Sequence, residues 1–232
     1  MNPNQSKEGA MKKISLLLVL ILLLGVLSFP DLAFSQGGKK VLIIPREGYS
    51  ASLDLMIKSE MGVMTQLLKD AGLTYDIATD SGMNILGCTE KIENVKRLSD
   101  VNLKDYSGIL LVCMGVGAFP GPPVSATAMA LAKQALAEGK PVAASANSSI
   151  ILATAGLLKG KKYAYSQDPL VKGQRYGGRT DSRFADAIYS GFGVVQDGLI
   201  ITSGICPNLA KVVDLPDGTR ELTMKFVSMI KK

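Results

Sequence analysis

The chain contains 232 residues, with 26 Lys and Arg against 20 Asp and Glu, three cysteines and no histidine. The absence of histidine excludes Ser-His-Asp and Cys-His catalysis, and it excludes zinc sites built on imidazole. The net charge of +6 is scattered among acidic residues without an arginine-rich run or a tryptophan, so we predict no nucleic-acid partner.

The amino terminus has the pattern of an export signal. Lys12 and Lys13 precede an apolar run from Ile14 to Phe29, and Ala33-Phe34-Ser35 then offers small residues, Ala33 and Ser35, at the positions that a signal peptidase reads. We therefore predict a signal peptide over residues 1–35 and a single domain over 36–232, in a secreted or periplasmic protein. An uncleaved signal segment is the alternative, and it would be the chain's contact with a membrane.

The first half of the predicted domain alternates strand and helix. Lys40–Pro45 is a short run of β-forming apolar residues, which indicates a buried strand. Apolar residues share one face from Leu55 to Ala71, which predicts a helix that Gly72 ends. Leu73–Ala78 is predicted as the second strand.

The next segment has a weaker pattern before a clear strand. We predict a strand over Asn84–Cys88 and a polar connection over Leu98–Leu103, followed by a buried strand over Gly108–Met114. That strand leads into Gly115–Gly121, where small residues let the backbone approach a ligand. This loop lacks the lysine and serine of a nucleotide-binding loop.

A strand, a sharp turn and a helix are predicted after the alanine-rich helix Val124–Glu138. The strand is Pro141–Ala144, the turn holds the small residues 145–149, and the helix runs over Ile150–Leu158 until Gly160 ends it. We call residues 145–149 the elbow. At the carboxyl end of a strand, such a turn can bind an anion or present a nucleophile.

The carboxyl-terminal part completes an α/β pattern. Lys161–Tyr165 is a short predicted strand, and Ser166–Ala187 is either a lid or a surface excursion. Asp197-Gly198 joins two strands in a predicted hairpin, and Thr219–Ile230 is the last helix. The alternation predicts a doubly wound, mostly parallel sheet, a flavodoxin-like sandwich with helices on both faces.

Six segments between Lys39 and Ile230 carry a resemblance to a known family. They are Lys39–Ile44, Glu60 with Ala71-Gly72, Leu110–Gly117, Gly139–Ala144, Ala155–Lys161 and Asp197–Ser203. In order and spacing they resemble the ThiJ/PfpI family of the class I glutamine-amidotransferase-like superfamily. The resemblance implies the same fold, a homodimer and, where the family pattern is complete, a cysteine nucleophile in the elbow.

The chain departs from the family pattern at the elbow. The family cysteine stands ten residues before the glycine of the Ala-Gly-Leu-Leu-Lys-Gly segment, and counting back from Gly156 gives Ala146. Many members have histidine at the next position, which is Asn147 here, and their following Gly-Pro is replaced by Ser148 and Ser149. The resemblance therefore implies a domain without cysteine-dependent hydrolase, protease or deglycase activity.

The remaining site residues match the family better. By this resemblance, Glu60 stands where the family glutamate hydrogen-bonds the thiol, and the backbone N–H groups of Gly115 and Asn147 form an oxyanion hole. The predicted binding site for a small polar or anionic ligand, or for a partner, consists of Glu60, Gly115, Val116, Ala146, Asn147 and Ser148. We predict no metal and no cofactor. For Glu60 the alternative is an exposed glutamate that stabilises a helix terminus.

Two further functions stay open. One is a hydrolase, glyoxalase or deglycase-like or peptidase-like enzyme that uses Glu60 with Ser145 or Cys113. The serines would otherwise cap the following helix, and Cys113 would otherwise be an inert buried thiol. A Cys113–Cys206 disulfide is compatible with the sequence. The other function is a chaperone-like or structural role without pocket chemistry.

Overall fold

Seven strands form the main sheet in the part of the chain that this computed structural model describes, which is residues 39–48, 52–113, 124–166 and 181–232. In chain order the strands are β1 (Lys40–Ile44), β2 (Thr74–Thr79), β3 (Ile85–Leu86), β4 (Lys91–Ile92), β5 (Lys96–Arg97), β6 (Gly108–Leu111), β7 (Val142–Ser145), β8 (Lys162–Tyr163), β9 (Ile188–Tyr189), β10 (Val194–Asp197) and β11 (Ile200–Ser203). The helices are α1 (Ser52–Leu55), α2 (Gly62–Asp70), α3 (Ala126–Ala137), α4 (Ser149–Thr154), α5 (Pro207–Val213) and α6 (Thr219–Lys231).

The sheet has the order β10-β11-β7-β6-β1-β2-β5, while β3 pairs with β4 and β8 with β9 in two small sheets. Its neighbouring strands run parallel except β10 and β11. This arrangement confirms the predicted α/β fold with a mostly parallel sheet. The predicted hairpin is confirmed as well, because Asp197 pairs with Ile200 across a turn in which Gly198 has φ of 60°.

Helices cover both faces of the sheet, and the two faces bury alternate residues of the same strands. In β1, Leu42 and Ile44 pack with residues of α3 and α4, whereas Val41 and Ile43 pack with residues of α2 and α6. Side chains alternate along a strand, so a strand covered on both faces needs apolar residues at every position. This explains why β1 and β6 are continuous apolar runs in the sequence.

Helix α6 packs on one face through the predicted stripe, since Leu222, Phe226 and Ile230 are all buried. The ring of Phe226 lies directly over Gly108 of β6. A Cβ atom at Gly108 would lie 2.8 Å from Cζ of Phe226 and 2.9 Å from the carbonyl oxygen of Pro141. Glycine at this position therefore lets the ring approach the strand backbone.

The predicted helix Leu55–Ala71 is wrong in its start and its continuity. It begins at Ser52, and a π-helical segment, Met56–Met61, separates α1 from α2. Glu60 lies in this π-helical segment and is 0% exposed. The alternative in which Glu60 is an exposed glutamate at a helix terminus is therefore wrong. A π turn accommodates an extra residue per turn, which ordinary helical spacing does not predict.

One other helix prediction needs correction, and one helix was not predicted. Helix α4 ends at Thr154 instead of Leu158, because Gly156 takes the left-handed conformation (φ 73°) that leads the chain out of a helix. Helix α5 has no counterpart among the predicted elements. Pro207 is the first residue of this helix. Proline is tolerated there because the first N–H groups of a helix have no hydrogen-bond partner within the helix.

Two strand predictions and one predicted connection are also revised. The strand predicted over Gly108–Met114 ends at Leu111, and the one over Asn84–Cys88 shrinks to β3. The connection predicted over Leu98–Leu103 contains two 3-10 turns, Leu98–Asp100 and Leu103–Asp105, whose leucines are buried.

None of the described helices is long and apolar enough to cross a membrane. The predicted signal peptide, the Gly115–Gly121 loop and most of the predicted lid lie outside the described residues.

An ionic cluster on Asp76 ties three strands and a turn together. Its Oδ2 lies 2.7 Å from Nζ of Lys96 and 3.3 Å from Nζ of Lys40, and it accepts a 2.7 Å hydrogen bond from the Tyr106 hydroxyl. Partial burial alone would raise the pKa of Asp76, but the hydrogen bonds from Lys96, Tyr106 and Lys40 outweigh it and hold this pKa below its usual range.

We expect Asp76→Asn to lower the free energy of unfolding at pH 7 by about 1 kcal/mol. A carboxylate whose pKa is lowered by folding adds stability above its unfolded pKa of about 3.9, and this stability is lost as the pH falls through the folded value. Urea denaturation of both proteins at pH 7 and pH 3 should therefore give a difference that shrinks in acid. Exposed Asp105→Asn is the control, and an Asp76→Asn difference that persisted at pH 3 would contradict this account.

Candidate functional site

The elbow lies at the carboxyl end of β7, as the sequence predicted. The chain leaves the strand at Ser145, passes through a 3-10 turn over Ala146–Ser148 and enters α4 at Ser149. Ala146 has φ of 45°, a left-handed conformation that a residue with a Cβ atom rarely adopts. A residue held in this conformation marks a strained, tightly determined turn of the kind found at functional sites.

Glu60 reaches the sheet edge beside the elbow. Its Oε1 accepts a 3.1 Å hydrogen bond from the backbone N–H of Cys113, just after β6, and Oε2 has no hydrogen-bond partner among the described residues. Burial is the main reason that the pKa of Glu60 lies well above its usual range, and negative charge at Cys113 would raise it further. The Ser145 hydroxyl and the Cys113 N–H lower the pKa in part.

The elbow serines do not cap α4, so the predicted capping role is wrong. The hydroxyl of Ser148 lies 2.9 Å from the carbonyl oxygen of Leu111 and 2.8 Å from that of Ser145, which links the ends of β6 and β7. The hydroxyls of Ser145 and Ser149 are buried without a hydrogen-bond partner among the described residues. A capping serine needs an extended backbone, whereas Ser148 is already helical (φ −67°, ψ −16°).

Asn147 is oriented by a tyrosine that the sequence analysis did not connect with the site. The hydroxyl of Tyr165, two residues beyond β8, donates a 3.0 Å hydrogen bond to Oδ1 of Asn147. This bond fixes which way the amide faces, so its nitrogen, a hydrogen-bond donor, points away from the Tyr165 hydroxyl. A polar residue after a short strand is a weak signal, and nothing in the sequence spacing predicts this pair.

Two of the three cysteines meet at the elbow. The Sγ atoms of Cys113 and Cys206 are 3.3 Å apart, and both residues pack with Ala146 and Leu209. The contact with Cys113 and the burial of Cys206 raise the pKa of the Cys206 thiol far above its usual range, so this thiol keeps its proton. Cys88 is exposed and is not part of this group.

Glu60, Cys113 and Cys206 together form what we call the acid–thiol cluster. One ligand-type atom from each residue lies within 4.8 Å of the other two, and all three residues are buried. No other group of three or more such side chains occurs among the residues that the structure describes. The carboxyl group and the two thiols of the cluster are shielded from water, and this burial disfavours the loss of a proton from each of them.

The structure brings most of the predicted site residues into one region. Ser145, Ala146, Asn147 and Ser148 form the elbow itself, and the acid–thiol cluster adjoins it. The predictions for Gly115 and Val116 fall outside the described residues.

Comparisons with known proteins agree on a family and a fold. The model of a family described as the DJ-1/PfpI family matches residues 39–212. An uncharacterized protein of Methanocaldococcus jannaschii is 32% identical over 145 residues, which are 62% of this chain and 66% of that protein, just under two thirds of its length.

Two solved structures share the architecture at low identity. The ThiJ/PfpI domain protein of Brachyspira murdochii has a TM-score of 0.61 at 17% identity, over 84% of this chain and 98% of that chain. The Rapid Encystment Protein 24 kDa of Francisella tularensis has a TM-score of 0.63 at 16% identity, over 83% and 99% of the two chains. At such identities the two structures support the fold alone.

Proposed function

Because the chain belongs to the DJ-1/PfpI family, we propose that it is an exported member that has lost cysteine catalysis and binds a small polar or anionic ligand at the elbow. The observation that carries the proposal is Ala146. In enzymes with a strand, a sharp turn and a helix, the nucleophile stands at the strained residue of the turn. Here that residue has φ of 45° and a methyl side chain.

The neighbouring groups are poor substitutes for a nucleophile and its base. Cys206 is 2% exposed with a raised pKa, and a cysteine reacts as its thiolate. The raised pKa of Glu60 favours its protonated form, which cannot accept a proton from Ser145 or Cys113. The chain has no histidine to take this role.

The polar groups of the elbow suit an oxyanion better than a cation. The amide nitrogen of Asn147 is a donor, and the Tyr165 hydroxyl fixes its direction. Glu60 adds no negative charge in its protonated form, so it does not repel an anion. A carboxylate or a similar group is therefore the ligand class that we propose.

Thermal-shift measurements with carboxylates, amino acids and inorganic phosphate test the binding. At about 100 times its dissociation constant, a ligand should add about 2.7 kcal/mol of stability and raise the melting temperature by about 5–10 °C. Asn147→Ala should weaken binding about ten-fold because a charged hydrogen bond is lost. The exposed Asn84→Ala variant should leave binding unchanged. No stabilisation by any of these compounds would favour a chaperone-like or structural role.

Activity assays test the loss of catalysis. We expect the wild-type protein to show no turnover of esters, dipeptides or methylglyoxal above the level of Glu60→Gln. The alternative enzyme has one observation in its favour, the hydrogen bond between Glu60 and the backbone of Cys113. Robust wild-type turnover that Glu60→Gln abolishes would establish that enzyme and overturn the proposal.

Export and self-association belong to the same proposal. The apolar run after Lys12-Lys13 supports a cleaved signal, and amino-terminal sequencing of the exported protein should then begin near Gln36. A homodimer rests on family resemblance, and sedimentation of the purified protein should give twice the mass of one chain.

A further inference from the structure

We propose that Glu60, Cys113 and Cys206 bind a thiophilic divalent cation, for which Zn²⁺ is the natural probe. This inference goes beyond the proposed function, because it concerns the wall of the elbow and not the ligand bound there. It also departs from the expectation of no metal drawn from the sequence. The geometry that carries it is the acid–thiol cluster, in which three metal-ligating side chains meet within 4.8 Å.

The sheet topology explains why these residues meet. β6 and β11 lie on either side of β7, and all three run parallel, so their carboxyl ends share one edge. Cys113 follows β6 and Cys206 follows β11, so their thiols approach each other beside the elbow, where they pack with Ala146. The π-helical segment brings Glu60 to the same point.

The donor set and spacing suit zinc. Thiolates and a carboxylate bind Zn²⁺ at about 2.3 Å and about 2.0–2.2 Å, which separates the ligands of a tetrahedral site by roughly 3.3–3.8 Å. The two sulfur atoms are 3.3 Å apart, so they would separate by roughly 0.5 Å to reach the upper end of this range, which applies to two sulfur ligands. A carboxylate oxygen of Glu60 lies within 4.8 Å of both sulfur atoms, so it needs to move by about 1 Å at most to reach the separation of a zinc site. Binding would release the protons of the two thiols to water, and the resulting thiolates favour a soft cation over Mg²⁺ or Ca²⁺.

Two buried polar atoms, one of them in the cluster itself, provide further support. Oε2 of Glu60 and Oγ of Ser145 are buried, and neither makes a hydrogen bond of normal geometry among the described residues, although the Ser145 hydroxyl is close enough to lower the pKa of Glu60. Each such atom costs about 1–3 kcal/mol when nothing compensates for its lost hydration. A bound cation would satisfy the carboxylate directly, and the fourth coordination position would fall to the Ser145 hydroxyl or to a water molecule.

A disulfide between Cys113 and Cys206 is the competing explanation for the paired thiols. At 3.3 Å the sulfur atoms are well beyond the bond length of about 2.05 Å. Bond formation would remove two hydrogens and two electrons and so depends on an external oxidant, which an exported protein would meet, so the experiment below has to distinguish the two states. A disulfide would leave Oε2 of Glu60 and Oγ of Ser145 unsatisfied. A cation accounts for the two sulfurs and the carboxylate together, whereas a disulfide accounts for the sulfurs alone.

Competition with a chromophoric chelator tests the site directly. The purified, reduced and metal-free protein should bind one Zn²⁺ per chain. Cys206→Ser should weaken this binding at least about 100-fold, while the exposed Cys88→Ser should not change it. Co²⁺ in place of Zn²⁺ should give a sulfur-to-cobalt charge-transfer band that Cys206→Ser reduces and Cys88→Ser preserves.

Glu60→Gln keeps the proposal testable if the cysteine variants fold poorly, since it retains the shape of the side chain. It should weaken Zn²⁺ binding and keep the charge-transfer band. The proposal is overturned if the wild-type protein binds no stoichiometric Zn²⁺, or if well-folded Cys206→Ser binds as tightly as the wild type. It is also overturned if protein purified from cells without reductant carries a Cys113–Cys206 disulfide.

Discussion

Phe226→Ala is expected to lower the free energy of unfolding by about 3–5 kcal/mol, the largest stability loss that we expect from a single truncation. Phe226 is 0% exposed and lies among the residues that α6 packs against the sheet. Because Gly108 has no side chain, the ring rests on the backbone of β6. Gly108 has no side chain that could move into the space that the truncation leaves, so a cavity should remain.

Chemical denaturation of the wild type, Phe226→Ala and Met224→Ala measures this effect. Met224 stands on the same helix but is 54% exposed, so its truncation removes little buried surface. Its cost should stay within about 0.5 kcal/mol. If the two variants lost similar amounts of stability, the packing of α6 described here would be wrong.

Ala146→Val is expected to cost about 3 kcal/mol, the second large effect. The backbone of Ala146 has φ of 45°, which a β-branched side chain tolerates poorly. The added methyl groups would also press on Cys113 and Cys206, which already contact the alanine. Overfilling a packed site typically costs about 1–3 kcal/mol in addition to backbone strain.

Two matched variants separate strain from crowding at the elbow. Ala146→Gly accepts the positive φ freely and loses one methyl contact, so its stability should stay within about 1 kcal/mol of the wild type. Ala185→Val makes the same change at an exposed position with ordinary helical backbone (φ −53°) and should have little effect. A stable Ala146→Val protein would mean that the elbow is less rigid than its backbone conformation implies.

Much of the fold could be predicted because it depends on regular spacing. The continuous apolar run of β6 indicated a strand buried on both faces, and the stripe of Leu222, Phe226 and Ile230 indicated the buried face of α6. The Asp197-Gly198 pair located the hairpin through the conformational freedom of glycine. The π-helical segment has no such periodic signal, and the early end of α4 depends on a glycine followed by residues that still look helical.

The site was predictable in its parts but less so in its chemistry. Parallel strands bring their carboxyl ends to one edge, which explains why Cys113 and Cys206, after β6 and β11, approach the elbow. The separation of the two sulfur atoms, the choice of partners by Ser148 and the bond from Tyr165 to Asn147 depend on side-chain packing. Sequence spacing does not determine such contacts.

The edge strand β5 has a consequence for how this protein can associate. It consists of Lys96 and Arg97, both exposed, at one end of the sheet order. A second chain that tried to extend the sheet here would find two residues to pair with and would bring like charges together. This edge of the sheet therefore disfavours the growth of fibrils by strand addition, even at high protein concentration.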